Sequence, residues 1–483
     1  MKLEGLLVKL DHELIQGSVD INVKHIAYHS KRVVEDSLFV CISGFKLDGH
    51  DYIDDAIASG ATALIVEKPV KVPQNITVIL VRNSRIALAK VSSSYYNQPS
   101  KQFTLVGVTG TNGKTSTVLL IDRILQAYHK KTGVIGTIEN RIGQKVVPTE
   151  NTTPESLDLQ KLFSEMVEEN VNAVVMEVSS HALKLHRVKY AKYDVGVFTN
   201  LTQDHLDFHE TMDAYAKAKA KLFKRCKFSI INIDDLYGGF MLSKAKSGKS
   251  MTYSIKDEKA DLYAYDIELD ITGTRFKIDY EDFTHYISIE TPGIFSVYNA
   301  LAAIGASLSL DVPMDAIIRT LGHNSKIVGR YETIMGDSGV SAVVDYAHTP
   351  DGLLNILKTT NDIKARKVIT VFGCGGDRDT SKRPQMGKIA GQWSDYAIIT
   401  SDNPRTEDPE EIINQIEMGM QETKCPYERI VDRAEAINKA LSMAEPGDVV
   451  IIAGKGHENY QIIGHTKNHF DDKEVVRAYF QEN

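Results

Sequence analysis

The chain is poor in cysteine, and the placement of the four it has excludes two classes of protein. Cys41, Cys226, Cys374 and Cys425 lie far apart with no C-x-x-C pair, so neither a disulfide framework nor a zinc-finger spacing is present. Long apolar runs are missing too, and none approaches the roughly 18 residues of a membrane-spanning helix. No hydrophobic leader forms at the start, where Lys2, Glu4, Lys9, Asp11 and Glu13 interrupt the chain. There is no excess of positive charge. A formal net charge of -8 argues against nucleic acid or an anionic membrane as the main partner. Internal repeats and low-complexity segments are also absent. The expectation is a reduced, cytoplasmic protein with no membrane insertion.

What is present is an ordinary globular composition on a long chain. Hydrophobic residues at 42% and charged residues at 25% suit a soluble fold, and 483 residues suggest about three domains. Residues 1 to about 99 read as a small α/β unit, with buried-strand runs at 38–42 and 63–66. The polar stretch 95–100 reads as a linker. Beyond it, strand-like and helix-like segments alternate, which predicts a mostly parallel sheet. A helix is expected over Thr211 to Arg225, a β-meander over about 250–290, and a third α/β unit from about Tyr331.

The densest chemical signal is Gly110-Thr111-Asn112-Gly113-Lys114-Thr115, followed by Ser116. A β-branched run enters it from Phe103, and Val118, Ile121 and Leu125 leave it on one helical face. Strand, Gly-rich turn, Gly-Lys-Thr and helix make a phosphate-binding loop. Backbone N–H groups and the helix N-terminus face the anion, the lysine adds charge, and the threonine hydroxyl can hold Mg²⁺. The strict spacing would place its first glycine at 108, where this chain has Val108. The reading is an ATP site.

Other stretches are suited to act with it. Glu177 closes the apolar run 174–178 and is placed to ligate a metal, with a helix cap or structural ion pair as the alternative. Asp204, His205, Asp207 and His209 crowd six positions, and the two histidines have the i, i+4 spacing of a zinc pair. No third ligand at a family-like distance follows, so a metal-assisting or base-orienting loop is the better reading. At about 100° per residue, Lys219 falls about 40° from Tyr215, beside an apolar stripe that includes Ala218 and Leu222. A function for that lysine and a snorkelling stem are equally open. Asn151-Thr152-Thr153-Pro154-Glu155 suits a polar or phosphorylated substrate, and Asn299 could read a base edge, although helix caps explain both. In the third unit, four strands each run into a polar loop, beginning at Asp345, Gly373, Asp402 and Gly454. In open parallel sheets such loops converge on one site.

In their order along the chain these patterns resemble the Mur ligases, ATP-dependent amide-bond-forming enzymes of peptidoglycan assembly. The matching stretches are 110–115, 151–155, 177–181, 200–207, Gly329-Arg330-Tyr331-Glu332 and Asp345-Tyr346-Ala347-His348-Thr349-Pro350. Gly375-Gly376-Asp377-Arg378-Asp379, Asp402-Asn403-Pro404-Arg405 and Gly454-Lys455-Gly456-His457-Glu458 are similar to the branch that adds diaminopimelate. The resemblance implies an α/β protein of three domains. These are a small N-terminal α/β domain (1–99) for the UDP substrate, a central P-loop ATPase domain with a mostly parallel sheet (100–330), and a C-terminal Rossmann-like domain (331–483) for the amino acid.

It further implies ATP, Mg²⁺, UDP-MurNAc-L-Ala-D-Glu and meso-diaminopimelate as ligands, and a monomer is expected. Lys114, Glu177, His205 and Lys219 would be catalytic. Thr115, Glu177, His205 and Lys219 would serve the metal, Lys219 through the carbamate this family forms on it. Asn299, Arg330 and Asp345 match nucleotide contacts. Arg378, Asp402, Asn403, Pro404, Arg405, Gly454 and Glu458 match the diaminopimelate pocket. Ser30, Asn151, Thr152, Thr153, Ser179 and Arg187 match contacts to the UDP-sugar-peptide. The departures fall at that end: His29-Ser30-Lys31 replaces the usual Asp-Ser-Arg, and Leu185 stands where a glutamine commonly precedes His186-Arg187.

Overall fold

The strand Thr104–Thr109, which enters the Gly-rich loop, lies inside the central sheet between Ala173–Glu177 and Val195–Phe198, parallel to both. Its side chains alternate between two cores. Val106 and Val108 pack with Val118 and Ile121 of the helix Lys114–Ala127 and with Ala300 of the helix Ile294–Leu308. Leu105 packs instead with Leu159 and Phe163 of the helix Ser156–Glu168. A strand buried on both faces reads as a continuous apolar run, and that is how 103–108 reads. The computed structural model describes residues 1–44, 47–149, 151–246, 249–323, 325–363 and 365–482.

Three large sheets carry the chain. A five-stranded sheet of residues 13–80 is parallel except for the edge strand Glu13–Gln16. The eleven-stranded central sheet is parallel in its middle and antiparallel at both flanks. One flank is the meander Leu262–Asp270, Gly273–Tyr280 and Phe283–Ile289. The other is the hairpin Asn140–Ile142 and Lys145–Val147, which the sequence did not signal. The six-stranded C-terminal sheet sets Ser341–Asp345, Val449–Ala453, Val368–Phe372 and Tyr396–Ile399 side by side and parallel. The four polar loops therefore leave the same edge.

Two local expectations are corrected. The helix expected over 211–225 is α-helical only over Met212–Lys219. Beyond Lys219 the chain continues in tighter turns, with Lys221 N–H donating to Ala218 O and Leu222 N–H to Lys219 O. Such i→i−3 bonds tighten a last helical turn and end its register. The stretch 95–100 is not a free linker. Tyr95 ends the helix Ser84–Tyr95, and Pro99–Lys101 forms a 3₁₀ turn packed against the helix Ser156–Glu168.

A fully buried ion pair holds the last helix against the C-terminal sheet. Arg433 Nε and Nη2 donate to the two carboxylate oxygens of Asp472 at 2.7 and 2.8 Å, and Nη2 also reaches Ala453 O at 3.1 Å. Removing one partner of such a pair leaves a charge without water or counter-ion. The expected result is that Arg433→Met lowers unfolding free energy by about 3–5 kcal/mol in denaturant titrations. A loss below about 1 kcal/mol would show that the pair is solvated in solution.

Candidate active site

The strand-to-helix turn at 110–116 borders a cleft of about 940 Å³ between the central and C-terminal sheets. Its glycines are there for close approach. A Cβ on Gly110 would stand 1.8 Å from Thr199 Oγ1. One on Gly113, where φ is +81°, would meet Asn299 Oδ1 at 2.3 Å. Lys114 Nζ, at the head of the helix, lies 2.7 Å from Thr111 O and 3.1 Å from Gly110 O. Backbone donors and a lysine around a helix N-terminus suit polyphosphate.

Beside the loop sits a buried carboxylate. Glu177 is 1% exposed, and Thr115 Oγ1 donates to its Oε1 at 2.9 Å. Thr137 N–H donates to the same oxygen at 2.8 Å and the Thr137 hydroxyl to Oε2 at 3.3 Å. Among the described residues no cation lies within ion-pair distance of it. A carboxylate taken out of water with only neutral donors fits a cation. On this donor set, Thr115 and Glu177 suit a magnesium ion.

Lys219 is 1% exposed, which decides between the two readings of its helix: the ammonium does not snorkel. Nζ donates to Gly110 O at 2.7 Å and lies 4.5 Å from the centre of the Tyr215 ring. Burial pulls its pKa well below the usual lysine value; repulsion from Lys114 adds to this, and Asp204 opposes it. Tyr215 is itself anchored, its hydroxyl 3.2 Å from Thr111 Oγ1. The two histidines of the 202–209 loop separate. His209 is buried, its Nε2 2.9 Å from Ser180 Oγ and its ring stacked on Tyr215. His205 has φ +53°, lines the cleft and faces Asp204, Nε2 to Oδ2 3.3 Å. Burial lowers the His205 pKa against the opposing pull of Asp204.

The residues expected on the nucleotide side also line the cleft. Arg330 stacks over Tyr346 at 4.8 Å and reaches Thr115 Oγ1 at 3.4 Å. Asp345 Oδ2 accepts from Tyr331 N–H at 2.7 Å, and its pKa is raised by burial against the pull of Arg330. Asn299 stands over Gly113, within 3.4 Å of the Thr117 hydroxyl. Ser116, Asn151 and Thr152 line the same cleft. Thr153 and Ser179 line it with their hydroxyls already engaged. Thr153 Oγ1 donates to Glu177 O and accepts from Ser179 N–H, while Ser179 Oγ caps Ala182 N–H. Arg187 donates to Thr153 O at 3.1 Å and pairs with Glu155 at 3.3 Å. Ser30 lies apart, in the 3₁₀ turn Ser30–Arg32, and does not line the cleft.

The loops at 375–379, 402–405 and 454–458 form a second cluster. Asn403 Nδ2 donates to Glu458 Oε2 at 2.9 Å, and a Cβ on Gly454 would stand 2.5 Å from Asp402 Oδ2. A Cβ on Gly375 would meet Arg405 Nη1 at 2.9 Å and the Arg378 stem at 4.0 Å, and one on Gly376 would run into Pro404 O. Tyr346 joins the two clusters. It lines the cleft, and its hydroxyl lies 3.5 Å from Glu458 Oε1.

Several residues of the cleft carry no signal in the sequence. Asp351 accepts from Asn112 Nδ2 of the phosphate loop and from Thr202 Oγ1, although 239 positions separate it from Asn112. Thr137 lines the cleft as well, as do His348, from the matching stretch 345–350, and Tyr215, from the stripe beside Lys219. Asp351, one residue past a helix-opening Pro350, is explicable by its first-turn position alone, so nothing local marks it.

Three family models cover most of the chain: Mur ligase family, catalytic domain (22–102), Mur ligase middle domain (108–307) and Mur ligase, glutamate ligase domain (329–456). The UDP-N-acetylmuramoyl-L-alanyl-D-glutamate–2,6-diaminopimelate ligase of Caldanaerobacter subterraneus subsp. tengcongensis is 49% identical over 484 residues, covering 100% of both chains. The enzyme of the same name from Clostridioides difficile is 48% identical, covering 99% of each. A solved structure of a ligase with that name superposes with a TM-score of 0.72 at 31% identity, covering 100% of this chain and 99% of the other. With the phosphate loop, buried carboxylate and buried lysine on one cleft, these matches show that the chain belongs to the Mur ligase family of ATP-dependent, amide-bond-forming ligases.

Proposed function

We propose that the chain joins meso-2,6-diaminopimelate to the D-glutamate γ-carboxylate of UDP-MurNAc-L-Ala-D-Glu, with ATP converted to ADP and phosphate, as a step of peptidoglycan synthesis in the cytoplasm. The observation that supports this reading is the meeting of the two clusters at Tyr346, which lines the cleft and whose hydroxyl lies 3.5 Å from Glu458 Oε1. Full-length similarity to relatives of that name supports it. Residues 1–99 would hold the uridine end, 100–330 the ATP and acyl centre, and 331–483 the amino acid.

In the first step a γ-carboxylate oxygen attacks the terminal phosphorus of ATP, and the bond to the ADP oxygen breaks. Lys114 and the loop N–H groups stabilise the charge on the transferring phosphoryl group. The amine of diaminopimelate then attacks the acyl phosphate carbon. Its nitrogen gives up a proton, and the carbon–oxygen bond to phosphate breaks to leave the amide. Thr115, Glu177 and His205 would hold Mg²⁺, with Lys219 as its carbamate beside them; the metal supplies positive charge for the phosphate oxygens. Asn299, Arg330 and Asp345 would hold the nucleotide. Asn151, Thr152, Thr153, Ser179 and Arg187 would orient the sugar-peptide, with Ser30 further out toward the uridine.

The test is phosphate release by the purified chain with ATP and Mg²⁺. It is expected only when UDP-MurNAc-L-Ala-D-Glu and diaminopimelate are both present. Release with a folate acceptor and glutamate would assign a different substrate, and no release with any pair would make the chain a silent ATP-binding protein. An acceptor lacking UDP, used while the UDP form is not, would overturn the acceptor assignment.

A further inference from the structure

Lys455 is one of the buried charges, with Arg383 and Arg433, that the mechanism does not use. Lys455 is 0% exposed, in the loop between the strand Val449–Ala453 and the hairpin Tyr460–Ile463 and Thr466–His469. Its Nζ lies 3.4 Å from Glu458 Oε2, 3.4 Å from Asn403 Oδ1, 4.0 Å from Asp402 Oδ1, and 5.5 Å from the centre of the Tyr460 ring. Burying an ammonium is costly unless it is paired and hydrogen-bonded, and this one faces three polar side chains, of Glu458, Asn403 and Asp402, and the Tyr460 ring.

The contacts of Glu458 show what that ammonium does. One oxygen, Oε2, is taken from behind by Asn403 Nδ2 at 2.9 Å and by Lys455 Nζ. The other, Oε1, faces the Tyr346 hydroxyl, on the side of the cleft. Asn403 is spent on the same task. Its Oδ1 accepts from Ile462 N–H at 2.9 Å while its Nδ2 serves Glu458, so the amide ties the hairpin to the carboxylate. Lys455 Nζ thus lies against both groups and is itself shut off from solvent.

We propose that Lys455 is a positioning residue for the incoming amino acid: with Asn403 it holds Oε2 of Glu458, so that Oε1 is presented to the ammonium of the ligand. The proposal rests on the reading of this pocket as the amino-acid site. Lys455 itself touches no substrate. Without it, Oε2 of Glu458 keeps only the Asn403 amide, and the Asp402 and Glu458 carboxylates lose the cation they share.

The test compares wild type with Lys455→Met and Lys455→Arg, measuring KM for diaminopimelate, KM for ATP, kcat and thermal midpoint. For Lys455→Met the expected result is a rise of roughly 10- to 100-fold in KM for diaminopimelate, the scale of one lost charge-assisted hydrogen bond. KM for ATP should stay within about twofold, and kcat at saturating amino acid should fall by less than KM rises. Lys455→Arg, which restores a cation, should recover most of the loss. In a Glu458→Gln background the methionine substitution should add little, because the group it positions has gone. If the methionine variant does not fold, Lys455→Gln takes its place with the same expectation. An unchanged KM for diaminopimelate overturns the proposal. So does a parallel rise in both KM values with a lowered thermal midpoint, which would mark a structural role. A wild type that does not use diaminopimelate overturns the functional reading and this proposal with it, whereas a wild type that does, with an unaffected variant, overturns the proposal alone.

Discussion

Lys219→Ala is expected to abolish ligation, by about 10³-fold or more, while ATP still binds. Carbamylation needs the neutral amine: nitrogen takes up carbon dioxide, an N–C bond forms, a proton leaves, and a cation becomes an anion. A lysine in water, with a pKa of about 10.4, is almost wholly protonated at neutral pH. In this chain burial first, and the Lys114 ammonium second, pull the Lys219 pKa down, which favours the neutral, reactive amine relative to an exposed lysine. The short bond to Gly110 O places that nitrogen against the phosphate loop. Phosphate release and nucleotide binding should therefore separate in the alanine variant, and a short carboxylic acid in the buffer should restore part of the activity by standing in for the carbamate. Full activity of Lys219→Ala, or loss of ATP binding in parallel with ligation, would remove the carbamate from the mechanism.

The choice of amino acid should be set by Arg405, with diaminopimelate preferred over L-lysine by roughly 10²–10³-fold in kcat/KM. The two ligands differ by one carboxylate at the far end. Arg405 and the stem of Arg378 both come close to Gly375, and repulsion from Arg405 adds to burial in lowering the Arg378 pKa. Two adjacent guanidinium groups suit a carboxylate held by parallel hydrogen bonds. Arg378 is exposed and Arg405 half-buried, so the loss with lysine is that of the charge-assisted hydrogen bonds to the missing carboxylate, about 1.5–3 kcal/mol each, and about 1.4 kcal/mol corresponds to tenfold.

The competing role for Arg405, as a partner of the acidic segment Glu407, Asp408, Glu410 and Glu411, is not what the structure has. Glu407 pairs with Arg383 at 2.8 Å, and Glu410 pairs with Arg429 at 2.7 Å. Arg405 is anchored by its backbone instead: its N–H donates to Ile462 O, Gly464 N–H donates to its carbonyl, and Nη1 reaches Gly376 O at 2.7 Å. Measuring kcat/KM for both amino acids in wild type and Arg405→Ala checks the assignment. Equal use of lysine by the wild type, or an unchanged preference in the variant, would refute it.

By itself the sequence determined what depends on near neighbours. The phosphate loop was legible because strand, glycines, lysine and helix are consecutive. The position of Lys219 beside an apolar stripe was legible because helical periodicity is local, and the same pattern left open whether the ammonium reached solvent. The parallel sheets and the convergence of four loops followed from alternating segments, since a buried parallel strand is apolar on both faces. Tertiary structure decided everything that depends on distant segments meeting. Glu177 is held by neutral donors, Thr115 and Thr137, 62 and 40 positions away, and has no ion partner among the described residues. Asp351 reaches Asn112 only because the C-terminal unit lies against the phosphate loop. Asn403 supports Glu458 and the hairpin because a cross-chain register brings Ile462 to it. The helix after Thr211 ends at Lys219 because the following turns tighten, a choice that periodicity does not encode. A sequence pattern reports which face of an element is apolar, whereas partner, distance and desolvation are properties of the packed chain.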